Sequence, residues 1–196
     1  MILIKHRINS IKDLIKTPKS YGVEIDLRSE NNEIYLHHDP FKKGVLFKNW
    51  LKHFSHKIIV LNVKEEGLEH KIIKLLKNKK IKNYFFHDQT FSSLLKNRKK
   101  TTVSLRFSEY EDLKKKKILF DKIKWLWLDN FNKIEIKKKF FNYLKKNKVK
   151  ICLVSPELVS KKRKNEIRRT YLKLKKSRTL PDAICTKLPE LWEKLI

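Results

Sequence analysis

Short apolar runs alternate with longer amphipathic runs along the whole of this 196-residue chain. That alternation constrains the fold more than any other feature. Strand-like runs span Ile2 to Lys5, Gly22 to Leu27, Lys57 to Val63, Asn83 to Phe86, Thr101 to Arg106, Lys124 to Leu128, Val149 to Val154 and Asp182 to Cys185. Between and after them, helical spacing spans Ile8 to Ile15, Phe47 to Phe54, Leu68 to Leu76, Phe91 to Leu95, Tyr110 to Leu119, Ile134 to Lys146, Lys161 to Leu174 and Leu188 to Leu195. Asn31-Asn32 is turn chemistry and leads into one extra short strand, Glu33 to Leu36. Strands that alternate with helices imply a parallel sheet. Eight such units predict an α/β fold, a small closed (β/α)8 TIM barrel formed by residues 1–196 as a single domain. An open doubly wound sheet is the alternative, weakened because no glycine-rich phosphate loop follows the first strand.

Three glycines and five prolines exclude a low-complexity chain, and no apolar run approaches the length of a membrane span. The apolar stretch at Met1 is too short for a signal peptide, so the expectation is a cytoplasmic protein. Cys152 and Cys185 each sit in an apolar run without zinc-site spacing, and read as reduced packing residues. Lys and Arg total 49 against 21 Asp and Glu, a net charge of +28. One reading is a surface for nucleic acid or an anionic membrane. The other is a lysine-biased composition: the runs Lys114 to Lys117, Lys137 to Lys139 and Lys161 to Lys164 fall in helical patterns as solvated faces. Dispersed lysines, scarce arginine and the lack of a nucleic-acid motif argue against nucleic acid as the partner; peripheral contact with an anionic membrane stays open.

The chemistry gathers at the strand ends, where barrels place their active sites. Those ends carry His6 and Arg7, Glu24, Asp26 and Arg28, His38 and Asp39, Asn62 and Lys64, His87 and Asp88, Arg106 and Glu109, Asp129, Ser155 and Glu157, and Thr186 and Lys187. Glu24 and Asp26 are two apart on one strand, so they point to the same side. Two converging carboxylates repel unless a cation joins them, and Mg2+ or Ca2+ prefers oxygen ligands. A structural ion-pair network with Arg7, Arg28 and Lys64 is the competing reading. Histidines beside such a site can move protons near neutral pH.

His6-Arg7, Glu24-Ile25-Asp26 and His38-Asp39 closely resemble the opening motifs of the glycerophosphodiester phosphodiesterase superfamily, which also includes the phosphatidylinositol-phospholipase-C-like enzymes. Members carry His-Arg after strand one, Glu-x-Asp on strand two, His-Asp after a short extra strand, and Glu-x-Lys at the end of strand three. The resemblance is specific within residues 6–40, and beyond them rests on topology and Lys64. It implies a metal-dependent phosphoric diester hydrolase acting on a small or lipid-derived phosphodiester. His6 and His38 would be the acid and base, Arg7 and Lys64 the phosphate contacts, and Glu24, Asp26 and Asn62 the ligands of Mg2+ or Ca2+. The resemblance also allows the substrate's own neighbouring hydroxyl as nucleophile, giving a cyclic phosphate that water then opens.

The chain departs from the pattern at two places. Ile8-Asn9 stands where members have glycine, and Asn62 stands where they have a metal-binding glutamate. An amide oxygen ligates a hard cation but brings no charge, so Asp88 and Glu157 are candidates for the missing carboxylate. Arg28, Asp88, Arg106, Glu109, Asp129 and Glu157 are candidates for substrate contacts or for supporting the ligands. An inactive barrel that binds a phosphorylated ligand is the second functional reading, and a basic nucleic-acid or membrane binder the third. His37 reads as a neighbour of the site, and His53, His56 and His70 as surface residues. Trp50, Trp125, Trp127 and Trp192 read as packing residues.

Overall fold

The computed structural model describes residues 1–111, 122–132 and 136–196. The chain forms two compact units, one of Lys5–Val103 and one of Met1–Ile4 with Ser104–Ile196. Chain order is β1 (Ile2–Lys5), α1 (Ile11–Lys16), β2 (Gly22–Glu30), β3 (Glu33–Leu36), β4 (Val45–Leu46), α2 (Phe47–Trp50), β5 (Ile59–Val63), α3 (Glu69–Asn78), β6 (Tyr84–His87), α4 (Phe91–Asn97), β7 (Ser104–Phe107), β8 (Trp125–Leu128), α5 (Lys138–Lys146), β9 (Lys150–Val154), α6 (Pro156–Val159), α7 (Glu166–Lys176), β10 (Ala183–Thr186) and α8 (Pro189–Glu193). A 3-10 turn at Lys161–Asn165 precedes α7.

In the unit of Lys5–Val103, β2, β5 and β6 run parallel. The register places Asp26 opposite Asn62 and Asn62 opposite His87, so three polar residues share one level across three strands. Val23, Ile25 and Leu27 alternate with Glu24 and Asp26 along β2 and are fully buried. The strand therefore packs one side and aims its carboxylates to the other. β2 continues into an antiparallel pairing with β3, Leu27 opposite Leu36 and Glu30 opposite Glu33. Asn31 and Asn32 both have positive φ at the turn, as their short polar side chains tolerate. A second short antiparallel strand, β4, was not foreseen; it pairs Leu46 with Tyr35. Gly44 is obligatory in this hairpin, because a Cβ there would overlap the Leu36 carbonyl.

The sequence placed the first helix at Ile8, but it begins at Ile11, capped by Ser10, whose hydroxyl accepts from Asp13 N at 3.0 Å. Ile8 N instead bonds to Glu24 O at 2.8 Å, tying that segment to β2. Trp50 is fully buried and donates its indole N–H to Ile8 O at 3.0 Å, which satisfies the polar atom of a core residue. His56 corrects a surface assignment: it is buried, with Nε2 at 2.9 Å from Thr17 O, and burial pushes its pKa down.

In the other unit, β7 to β10 are parallel and in sequential register, from Ser104 opposite Trp125 to Cys185 opposite Val154. β1 lies beside β10, and Ile2 N donates to Asp182 O at 2.8 Å. Trp125–Leu128 of β8 and residues 151–154 of β9 are apolar and buried on both sides, as a covered parallel sheet demands. Cys152 and Cys185 are free and buried. On α7, Ile167, Tyr171 and Leu174 face the core, and its lysines face out. The lysine runs 137–139 and 161–164 are largely exposed; the run at 114–117, the helix expected from Tyr110 to Leu119 and the start of that expected at Ile134 lie outside the described residues. No helix among the described residues is long and apolar enough to cross a membrane.

Candidate active site

Glu24 and Asp26 are the centre of the site, buried to 1% and 0% exposure within β2. The chain leaves β1 through Arg7, whose φ of 56° turns its backbone N–H onto Glu24 Oε2 at 2.7 Å. His6 Nε2 lies 3.7 Å from the same oxygen. The other Glu24 oxygen accepts from Asn62 Nδ2 at 2.9 Å. Asp26 Oδ2 accepts from Asn9 Nδ2 at 2.9 Å, with Arg7 Nε at 3.9 Å, and Asp26 Oδ1 lies 3.4 Å from Lys64 Nζ. Lys64 also reaches Asp88 Oδ2 at 3.4 Å. His6, Arg7, Glu24, Asp26, Asn62, Lys64 and Asp88 are thus linked in one chain of contacts. Asn9 was not given a role from the sequence, and its position two residues after Arg7 was the available signal.

The carboxyl of Glu24 is pushed up to about 7, first by burial and then by the charge of Asp26; hydrogen bonds from Asn62 and Arg7 N and the charge of Lys64 oppose the rise. Near neutral pH the pair therefore carries less negative charge than two ordinary carboxylates.

The donors fit a hard divalent cation. Asn62 Oδ1 is buried without a hydrogen-bond partner beside the two carboxylates. Such an orphaned acceptor is costly unless something binds it, and an amide oxygen with two carboxylates is an all-oxygen set of the kind Mg2+ and Ca2+ take. Among the described residues, no group of three or more His, Cys, Asp and Glu side chains is arranged around a metal position, so the third ligand would be the amide.

The loop after β3 carries the second histidine. His37 N donates to Asp26 O at 3.2 Å, which fixes the loop against β2. His38 Nδ1 lies 2.9 Å from Asp39 Oδ1, and Asp39 is held below the usual carboxylate range by that bond. Asp39 N donates to His37 Nδ1 at 3.0 Å, so His37 braces the loop. Arg28 Nε donates to His38 O at 3.0 Å, and its other arm meets Glu65 at 3.5 Å. Arg28 thus supports the histidine loop.

The remaining candidates belong to the other unit and are engaged there. Arg106 Nε donates to Asp129 Oδ2 at 2.5 Å, and Trp127 Nε1 to Asp129 Oδ1 at 3.2 Å. Burial raises the Asp129 carboxyl despite Arg106. Glu109 accepts from Asn132 N. Glu157 is buried, accepting from Ser155 Oγ, from Thr186 Oγ1 at 2.5 Å and from Lys187 N at 3.2 Å. Ser155 Oγ in turn accepts from Trp192 Nε1 at 2.8 Å. Both oxygens of Glu157 therefore serve as a clamp between the ends of β9 and β10.

No protein-family model and no curated protein matches the sequence. Solved structures do. Glycerophosphodiester phosphodiesterase from Thermotoga maritima aligns with a TM-score of 0.76 at 19% identity, covering 100% of this chain and 98% of its own. A phosphodiesterase from Oleispira antarctica, in complex with the product sn-glycerol-3-phosphate, aligns at 0.71 and 14% identity, over 100% and 96%. Phosphoribosyl anthranilate isomerase from Thermus thermophilus aligns at 0.52 and 12% identity, over 95% and 86%, so the fold alone does not fix a reaction. What the likeness does show is that this chain has the (β/α)8 barrel fold of the glycerophosphodiester phosphodiesterases.

Proposed function

We propose that the protein hydrolyses a phosphoric diester at the cluster of His6, Arg7, Glu24, Asp26, His38, Asn62 and Lys64, with a divalent cation, Mg2+ or Ca2+, held by Glu24, Asp26 and Asn62 Oδ1. The observation that carries this reading is the pair of buried carboxylates ringed by two cations and an imidazole. The bound cation would neutralise charge that develops on the phosphoryl oxygens.

The protein's own groups supply the rest. Arg7 is anchored to Asp26 and 41% exposed, so its guanidinium can meet a phosphate oxygen while Asp26 holds its position. Lys64, shared between Asp26 and Asp88, adds a second positive charge on the same side. His38 gives one ring nitrogen to Asp39, which orients the ring and leaves Nε2 to exchange a proton. His6, held against Glu24, is the second proton carrier. One histidine takes the proton of the attacking hydroxyl or water, and the other protonates the departing oxygen. The ligand is a small-molecule phosphodiester, as the product bound to the Oleispira enzyme suggests.

Asn62 favours a second reading, a barrel that binds a phosphorylated ligand without turnover, because it supplies no charge to the cation. A panel of glycerophosphodiesters and a chromogenic diester, assayed with Mg2+, Ca2+, Mn2+ or EDTA, separates the two. Metal-dependent turnover that disappears in His38→Ala supports the hydrolase. A folded protein that binds phosphate esters but turns over none of the panel with any metal establishes the second reading.

A further inference from the structure

Residues 161–178, the 3-10 turn and α7, carry ten Lys and Arg side chains against one acid, Glu166. Nine of the ten cations are exposed. The tenth, Arg163, is 14% exposed and turns inward, where it holds the carbonyls of Asn130 and Phe131. Its guanidinium also binds Glu166, Nε to Oε1 at 3.0 Å and Nη2 to Oε2 at 2.8 Å. That bond holds the Glu166 carboxyl below its usual range and gives the one acidic charge of the stretch a counter-ion within the protein. The charge left facing outward is positive. The same clamp ties the start of α7 to the loop after β8, so the cations sit on a fixed element and lose little freedom when a partner binds.

Helical spacing organises the face. Ile167, Thr170, Tyr171 and Leu174 are buried, which turns the opposite side of α7 outward. Leu172 lies on that outward side and is 52% exposed. Arg168 and Arg169 stand one turn before it, and Lys175 and Lys176 one turn after it, all exposed. A helix face that only meets water has no need of an apolar side chain among four cations. A helix that lies on a bilayer does: its cations meet anionic headgroups and its apolar residue meets the acyl boundary. Nucleic acid is the less suitable occupant. Its phosphates would engage the cations, but a duplex offers Leu172 little apolar surface. The one aromatic ring of α7, Tyr171, is buried at 6% exposure and so does not stack on an unpaired base.

We propose that the outward face of α7 is a docking surface for an anionic lipid bilayer, with Arg168, Arg169, Lys175 and Lys176 over the headgroups and Leu172 at the acyl boundary. One leucine enters shallowly, so the contact is peripheral, reversible and dominated by charge. The face lies within one compact unit of the chain and does not depend on the chemistry of the Glu24 and Asp26 cluster. Much of the net charge of +28 lies elsewhere in the chain. Binding must therefore follow the position of the cations and not only their number.

Vesicle flotation of the full chain tests this. The probes are vesicles of phosphatidylcholine alone and vesicles with about one-third phosphatidylserine, at physiological and at high salt. The wild-type protein is expected to bind the anionic vesicles at least about tenfold tighter, and high salt should release it. Two variants remove equal charge from different places. Combining Arg168→Gln, Arg169→Gln, Lys175→Gln and Lys176→Gln should weaken binding about tenfold or more. Combining Lys137→Gln, Lys138→Gln, Lys139→Gln and Lys146→Gln, at and beside α5, should weaken it less than about threefold. All eight positions are exposed and glutamine is a good helix former, so both variants should keep the fold, which circular dichroism checks. Leu172→Ala leaves the charge unchanged and should weaken binding about threefold. No preference for anionic vesicles, equal losses in the two charge variants, or wild-type binding by Leu172→Ala would overturn the proposal. A titration with duplex DNA is the second arm: an α7 variant that loses duplex binding and keeps vesicle binding assigns the face to nucleic acid, and the proposal fails.

Discussion

Asn9 and Asp26 meet at two points: Asn9 Nδ2 donates to Asp26 Oδ2, and Asp26's backbone N–H donates to Asn9 Oδ1, both at 2.9 Å. One side chain thus fixes both the carboxylate and the peptide that carries it, locking the middle of β2 to the segment after the His-Arg motif.

Removing that contact leaves a buried N–H and a buried carboxylate oxygen short of partners. Asn9→Ala is expected to cost about 1–3 kcal/mol of stability. It should also lower turnover more than stability alone explains, because Asp26 loses its orientation. Denaturant unfolding and assays well below the melting temperature measure the two effects separately.

Glu24 makes stability depend on pH. Its folded pKa, about 7, lies above the ordinary 4.5. Between those values the folded state holds a proton that the unfolded state has released. The contribution of the protonated carboxyl is therefore complete below pH 4.5 and is lost as pH rises to about 7. The shift corresponds to roughly 3 kcal/mol. Glu24→Gln cannot titrate, so its stability relative to wild type should improve from pH 4.5 to pH 7.5 in metal-free buffer. A stability difference that stays flat across that range would contradict the raised carboxyl.

Asn62→Asp places a third carboxylate at the candidate cation site. Mg2+ or Ca2+ affinity should rise about tenfold or more, since ligand charge tunes such sites. The metal-free variant should be less stable than wild type, because a third buried negative charge joins the pair and the Asn62 bond to Glu24 is lost. Calorimetry and melting with EDTA read the two effects.

Glu157→Ala strips partners from Ser155, Thr186 and Lys187 N in one change. A loss of about 3–5 kcal/mol is expected for a broken buried polar network. Activity per folded molecule should persist at low temperature. A stable variant that loses activity outright would instead place Glu157 at the substrate.

Phe41→Gly should melt at or above the wild-type temperature. A bulky residue with left-handed backbone carries about 1–2 kcal/mol of strain that glycine does not. The gain is partly offset by glycine's freedom in the unfolded chain.

Much of this was legible in the residues themselves. Buried parallel strands announce themselves as apolar runs, so Ile59–Val63 and Lys150–Val154 were found within two residues of their ends. The carboxylates stood out because Glu24 and Asp26 interrupt such a run. Helix starts were harder: Ile8 is apolar and in phase with α1, yet its N–H belongs to Glu24 O, a bond between distant segments that no local pattern carries. His56 failed for the same reason, since its partner is Thr17 O, 39 positions away. Asp129 and Glu157 stood out at strand ends, but their partners Arg106, Trp127, Ser155 and Thr186 were not legible there. The left-handed backbone at Phe41 was invisible because φ at a non-glycine residue is not written in composition.

Every residue assigned to the chemistry falls between His6 and Asp88, whereas Glu157 and the Arg163 side chain, which donates to Asn130 O and Phe131 O at 2.6 and 2.7 Å, hold the later part of the chain together. This division sorts inherited damage into two kinds. Changes early in the chain should silence the protein under all growth conditions. Changes around Glu157 or Arg163 should yield temperature-sensitive alleles, rescued by cooling or by extra chaperone.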